Sequence, residues 1–156
     1  MPLLDEQILR ASENIDGISV LVVFGSRARG SHRPDSDLDI AVLLDTKDSR
    51  ARWRLQSGLA AALADLAPEG RVDVVLLDEA PDTLRQRVME TGRVLLCRDP
   101  EAWKDLRVRT MREYGDREWA RRLFQEAQFR RLTGGEPSGR SGKALESLRR
   151  SGRLSR

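Results

Sequence analysis

Sulfur and imidazole ligands are almost absent from this sequence of 156 residues, which has one cysteine, Cys97, and one histidine, His32. A single cysteine cannot form a disulfide within the chain, and two N/S side chains fall short of the usual ligand set of a structural zinc site. Cys97 ends the apolar run Val94–Cys97, so we predict that it is a core residue of a strand. His32 lies in a loop that contains Pro34 and is predicted to be exposed.

Long apolar stretches are also lacking. No run approaches the roughly 20 apolar residues that a membrane-spanning helix requires. The N-terminal segment shows no basic region followed by an apolar one, as a signal peptide would. We therefore expect a soluble protein of a reducing cytoplasm, without a membrane partner.

The net charge of +3 is unevenly distributed. From Gly134 onwards six basic residues face two acidic ones, a net charge of +4, so the preceding residues together carry −1. Residues 134–156 are rich in Gly, Ser and Arg and have little to bury, which predicts a flexible basic tail after a domain at 1–133. The charge distribution argues against a nucleic-acid-binding domain, and only the tail is left as a candidate for such binding.

Apolar periodicity predicts an α/β (α+β) domain in which helices pack against a sheet. The predicted strands are Ile18–Phe24, Asp37–Leu44, Val72–Leu77 and Val94–Cys97. The predicted helices are Leu3–Ile15, a short one within Ser26–Arg29, Ser49–Leu66, Pro81–Thr91 and a long C-terminal segment from Pro100 to about Leu132. Gly115-Asp116 is a candidate interruption of the last helix.

Gly25-Ser26 stands between the first predicted strand and the short helix. Glycine lets the backbone approach a ligand closely, and the N–H groups at the start of a helix favour phosphate. Gly-Ser at such a position is also common for turn geometry alone, so the pair by itself leaves both interpretations open.

Asp37 and Asp39 lie on the second predicted strand, where residues i and i+2 share a face. Two neighbouring carboxylates repel each other unless a cation lies between them, and Mg²⁺ prefers carboxylate and phosphate oxygens. The alternative is an acidic strand start in which both side chains are simply solvated.

Asp73 is surrounded in sequence by apolar residues of the third predicted strand. Because an unpaired buried carboxylate is costly, we expect it to have a partner, and a metal shared with Asp37 and Asp39 would provide one. A salt bridge to Arg71, or a strand end that reaches water, are the alternatives.

The order of these motifs resembles the DNA polymerase β-type nucleotidyltransferase superfamily. Segments Phe24–Gly30 and Asp35–Ile40, followed by a single aspartate on a later strand, are similar to its minimal members, the antitoxins encoded beside HEPN-domain toxins. The motifs cover Ile18–Leu77, and a looser likeness that includes Arg112–Tyr114 extends to about Leu132. The resemblance implies a nucleotidyltransferase fold with a mixed sheet of about four strands.

The resemblance also implies an activity, namely Mg²⁺-dependent transfer of AMP from ATP to a tyrosine of a HEPN toxin held in a hetero-oligomer. Asp37, Asp39 and Asp73 would bind two Mg²⁺ ions and carry catalysis. Gly25 and Ser26 would bind ATP. Arg27 and Arg29 would neutralise phosphate charge, unless they are solvated helix arginines.

Two other functions are compatible with the sequence. One is a nucleotidyltransferase for small molecules such as aminoglycosides, although little of the chain is left to build an acceptor domain. The other is an antitoxin that acts by binding alone, through aromatic residues of Trp103–Phe129 that stay exposed.

Overall fold

A computed structural model describes the backbone of residues 2–30 and 36–133, and the side chains of residues 3–30 and 36–128. The predicted tail at 134–156 and His32 lie outside the described residues. Two compact units divide the chain, Met1–Met111 and Arg112–Arg156. Among the described helices, none is both long and apolar enough to cross a membrane.

The first unit is built on a four-stranded mixed sheet of order β3-β2-β1-β4. The strands are β1 (Ile18–Val23), β2 (Leu38–Leu44), β3 (Val72–Leu76) and β4 (Arg93–Cys97). β1 is antiparallel to both β2 and β4, whereas β2 and β3 are parallel. The predicted fold class, strand number and mixed sheet are confirmed.

Helices cover both faces of this sheet. They are α1 (Pro2–Ser12), α2 (Gly25–Ala28), α3 (Ser49–Leu63), α4 (Asp82–Thr91) and α5 (Pro100–Thr133), with short 3₁₀ turns at Ala64–Leu66 and Pro68–Gly70. Side chains of α1 and α3 pack on one face around Ile40. Val88 of α4 and Leu106 of α5 pack on the other face around Val22. The central strands β1 and β2 are therefore buried on both sides, which explains their continuous apolar runs.

Two sequence predictions about the C-terminal half are wrong. Cys97 is exposed rather than part of the core, because β4 is an edge strand that leaves part of its side chains in contact with solvent. Helix α5 continues through Gly115-Asp116 without a break. A glycine inside a helix costs only about 1 kcal/mol relative to alanine, which the rest of the helix tolerates.

The second unit is described through the C-terminal part of α5. Its apolar residues include Trp119 and Phe124, which are 46% and 67% exposed. Glu118 forms ion pairs with Arg121 and Arg122 at 2.8 and 3.4 Å. These i,i+3 and i,i+4 pairs add modest local support to the helix.

Candidate active site

Three predicted aspartates lie near the end of the sheet where the parallel strands β2 and β3 begin. Asp39 and Asp73 are directly opposite each other in the register of these strands. Asp37 lies two residues before Asp39, immediately ahead of β2. Leu38 and Ile40 are buried on the opposite face, as the alternation of a strand predicts. Asp37 and Asp39 thus share a face by alternation, and strand pairing adds Asp73.

The turn after β1 lies directly against this carboxylate group. Phe24 N–H donates to the Asp39 carbonyl at 3.1 Å, which ties the end of β1 to β2. Gly25 then adopts a φ of +73°, and a Cβ at this position would overlap Asp39 Oδ2. Any residue other than glycine would therefore be strained and would displace the carboxylate. The contact with Asp39 therefore explains why this position requires a glycine.

Negative charge at Asp39 is only partly compensated. Burial raises the pKa of the Asp39 carboxyl, and the charges of Asp73 and Asp37 raise it further, while Arg87 and Arg29 act in the opposite direction. The net result is a pKa above the usual value. A cation placed among these carboxylates would remove the repulsion.

An open cleft of about 570 Å³ surrounds the group. Its lining consists of Gly25, Ser26, Arg29, Ser36, Asp37, Asp39, Arg71 and Arg87. Three arginines therefore face the same space as two of the carboxylates. Carboxylates suit cations and arginines suit phosphate oxygens, so the cleft matches a metal–nucleotide complex.

Arg71 and Arg87 are site residues that the sequence did not reveal as such. Arg71 precedes the strand of Asp73 by one residue, so the i, i+2 rule could have placed the two on one face. Arg87 lies on α4 and reaches the cleft only because that helix packs on the same face of the sheet as Asp39. No local pattern carries this information.

Arg27 has a different position from the one predicted. Its side chain is buried, and it is not among the residues that line the cleft. Nε donates to the carbonyls of Ser36 at 3.1 Å and Asp37 at 3.2 Å, and Nη2 donates to Ser36 at 2.8 Å. The guanidinium is thus engaged by the backbone that leads into β2, and a contact of Arg27 with phosphate stays a prediction. Arg29 is exposed in the cleft, as a phosphate ligand would be.

The predicted surroundings of the aspartates also differ from the main expectation. Asp73 is exposed, in agreement with the alternative of a strand end that reaches water, because β3 is an edge strand and Asp73 lies near its start. Arg71, the other predicted partner of Asp73, forms an ion pair with Asp37, with Nε 2.9 Å from Oδ1. Within the part of the chain whose side chains are described, no three acidic, His or Cys residues are gathered closely enough to hold one ion. Asp39 and Asp73 are paired neighbours, whereas Asp37 is held by Arg71 within the same cleft.

Comparison with known proteins agrees with this geometry. Residues 6–101 match the family model "Polymerase beta, Nucleotidyltransferase". The chain is 40% identical over 84 residues to protein adenylyltransferase MntA of Shewanella oneidensis, which covers 53% of this chain and 57% of that relative. The chain thus spans little more than half of the length of this curated relative.

Solved structures show the same likeness over a larger share of the chain. A chain of a toxin–antitoxin complex crystallised with AMP-PNP is 31% identical, with a TM-score of 0.60, and the match covers 80% of this chain and 98% of that one. A chain of the tri-AMPylated Shewanella oneidensis HEPN toxin in complex with its MNT antitoxin is 29% identical, with a TM-score of 0.56 and coverage of 82% and 98%.

The mixed sheet, the paired aspartates and the glycine turn define the class, a nucleotidyltransferase. Because the family model covers more than half of the sequence, the chain belongs to the polymerase β-type nucleotidyltransferase family.

Proposed function

We propose that this protein is an antitoxin that transfers AMP from ATP to a tyrosine of a HEPN-family toxin and so neutralises it. The observation that carries the proposal is the pairing of Asp39 with Asp73 across two neighbouring strands. Asp39 lies against the Gly25 turn, in a cleft that Arg29 and Arg87 also line. The likeness to an adenylyltransferase named MntA and to toxin–antitoxin complexes supports the choice of donor and partner.

The chemistry is a substitution at the α-phosphorus of ATP. The acceptor hydroxyl oxygen bonds to this phosphorus, the bond from phosphorus to the bridging oxygen breaks, and pyrophosphate leaves. The hydroxyl proton must be removed, and Asp73 is the exposed carboxylate suited to accept it. Gly25 and Ser26 would let the triphosphate approach the backbone of the turn, while Arg29 and Arg87 would neutralise its charge.

The donor chemistry of the site residues fits magnesium. Their donors are carboxylate oxygens, the type that Mg²⁺ prefers, and the raised pKa of Asp39 reflects burial together with the negative charge of Asp73 and Asp37. Asp37, Asp39 and Asp73 would hold the ions, which we propose to be two. When bound, they would supply stabilisation of the charge on the attacking and leaving oxygens.

Docking of a protein acceptor requires a surface besides the cleft. Trp119 and Phe124 are large, exposed apolar residues on the C-terminal part of α5, as an aromatic docking surface would need. The same observation favours a second candidate function, in which the antitoxin neutralises its partner by occlusion and needs no carboxylates. A reducing cytoplasm remains our prediction for the compartment.

The test combines the full chain, Mg²⁺, ATP and the HEPN-family protein encoded beside it. Intact mass spectrometry of the partner should show an increase of one adenylyl group or a multiple of it, on tyrosine by peptide mapping. Asp39→Ala should abolish this increase, while Asp65→Ala, at an exposed residue of a 3₁₀ turn that does not line the cleft, should leave it unchanged. An unmodified partner in the presence of folded wild-type protein would contradict the proposal.

Occlusion is separated from catalysis by Asp73→Asn. If the variant still binds and silences the ribonuclease-like partner without modifying it, occlusion is the function. If silencing is lost together with AMP transfer while the complex still forms, the adenylyltransferase function stands. Gel filtration of the mixture reports complex formation independently of activity.

A further inference from the structure

One ion pair in the cleft joins a proposed metal ligand to an arginine of the same chain. Arg71 Nε lies 2.9 Å from Asp37 Oδ1, and the two side chains are 46% and 58% exposed. Both residues line the cleft. Arg71 Nη1 also lies 3.4 Å from Glu69 Oε2, so the guanidinium has a second acidic contact. Asp37 is thus already paired with a positive charge.

Strand pairing explains why this ion pair lies beside the other carboxylates. Asp39 is paired with Asp73 and Leu38 with Val72, and Leu38 N–H donates to the Arg71 carbonyl at 3.0 Å. Continued by one step, the parallel register sets Asp37 beside Arg71. Since residues i and i+2 share a strand face, Arg71 lies on the same side as Asp73. The result is a square of three acidic residues and one arginine.

A guanidinium and a metal ion compete for the same carboxylate. Both are cations, so each weakens the other's interaction with Asp37 when the two are close. An exposed ion pair is weak and can be displaced by a divalent ion. The arginine that is displaced stays in a cleft with Arg29 and Arg87, and its forked donors match phosphate oxygens.

We propose that Arg71 is a positioning residue that exchanges partners when the site is loaded. In the metal-free protein it holds Asp37, and on loading Asp37 turns to the metal while Arg71 turns to the phosphates of the nucleotide. This inference rests on the metal site of the proposed function. Arg71 would therefore weaken the binding of metal in the absence of nucleotide and strengthen the binding of the metal–nucleotide complex.

The experiment measures two affinities of the full-length protein by calorimetry. The first is for Mn²⁺ alone, and the second is for the non-hydrolysable analogue AMP-PNP at saturating Mn²⁺. For Arg71→Gln we expect Mn²⁺ to bind roughly two- to fivefold more tightly, the range that an exposed ion pair can supply. AMP-PNP should bind about tenfold more weakly, as expected for loss of a charge-assisted contact to phosphate.

Opposite changes in one variant are the diagnostic result, since a merely damaged fold would weaken both affinities. Arg87→Gln is the matched control, because Arg87 also lines the cleft and affects Asp39, yet no ion pair joins it to Asp37 in the structure. It should weaken AMP-PNP binding and change Mn²⁺ binding less than Arg71→Gln does. If Arg71→Gln binds Mn²⁺ no more tightly than Arg87→Gln does, or leaves AMP-PNP binding unchanged, the exchange is refuted.

Arg71→Lys serves as a second variant if Arg71→Gln does not fold. Lysine keeps the charge but loses the fork, so AMP-PNP binding should still weaken, and unchanged binding would refute the phosphate contact. Failure of AMP transfer to the partner would overturn the proposed function and leave these affinities valid. If Asp37→Asn leaves Mn²⁺ affinity unchanged, Asp37 is not a ligand and the exchange is refuted.

Discussion

Replacement of Gly25 by alanine tests the central contact of the site, because the turn and the Asp39 carboxylate occupy adjoining space. Gly25 has a φ of +73°, and a left-handed conformation costs a residue with a Cβ roughly 1–2 kcal/mol. For a domain of this size that corresponds to a fall in Tm of roughly 2–8 °C. The added Cβ must also displace Asp39 Oδ2, which it would overlap.

The effect on activity should exceed the effect on stability. A misplacement of about 1 Å in a catalytic group can lower the rate about 100-fold, so Gly25→Ala should reduce AMP transfer by at least that factor. The assays are thermal unfolding by circular dichroism and the mass shift of the HEPN-family partner under Mg²⁺ and ATP. Transfer should be measured below the Tm of the variant, so that unfolding does not contribute to the loss.

Gly58→Ala is the matched control. Gly58 lies within α3, and a Cβ there would meet no atom within 4 Å. Alanine should therefore stabilise the helix by about 0.5–1 kcal/mol and leave transfer unchanged. If Gly25→Ala keeps near-wild-type Tm and transfer, the proposed crowding of Gly25 against Asp39 is incorrect.

Three further predictions follow from buried or crowded charges. Asp39→Asn should raise the Tm of the metal-free protein at neutral pH while abolishing transfer. Because burial and the charges of Asp73 and Asp37 raise the pKa of Asp39, the difference in stability between variant and wild type should grow only as pH rises above 3.8. A difference that does not depend on pH would refute this. Arg52→Ala, which removes the hydrogen bonds to Asp78 at 2.6 and 3.0 Å, should destabilise by about 3 kcal/mol in urea unfolding. Burial would raise the pKa of Asp78, but hydrogen bonds from Arg52 and Lys47 lower it. The loss of stability caused by Arg52→Ala should therefore shrink as pH falls below 3.8. A loss of stability that persists in acid would contradict the role of this ion pair. Arg27→Ala should lower the free energy of unfolding by about 1–3 kcal/mol and reduce transfer without weakening AMP-PNP binding directly. An unchanged Tm would contradict the importance of these buried contacts.

Local patterns were sufficient for much of this protein. The turn at Gly25 and the shared face of Asp37 and Asp39 follow from short-range geometry. In any strand, side chains alternate between the two faces, so residues i and i+2 lie on the same face whatever the position of the strand in the sheet. The central strands could be predicted for the same reason, because burial on both faces leaves an uninterrupted apolar run. The order of these elements along the chain was enough to indicate the family.

Contacts between distant segments were decided only by tertiary structure. The pairing of Asp39 with Asp73 depends on the register of β2 against β3, and the arrival of Arg87 depends on the packing of α4 on the sheet. Arg27 and Arg29 are alike in sequence, yet one is buried against the carbonyls of Ser36 and Asp37 and the other faces the cleft.

Edge position explains the remaining differences. Cys97 and Asp73 have apolar neighbours in sequence and were expected to be buried, but each lies on an outer strand of the sheet, where side chains reach solvent. Strand composition reports how apolar a segment is, whereas sheet order determines how many neighbours cover it. The sequence by itself determined the aspartates and the glycine turn of the site, because these follow from local geometry, whereas the pairing of strands and the packing of helices determined which arginines join them.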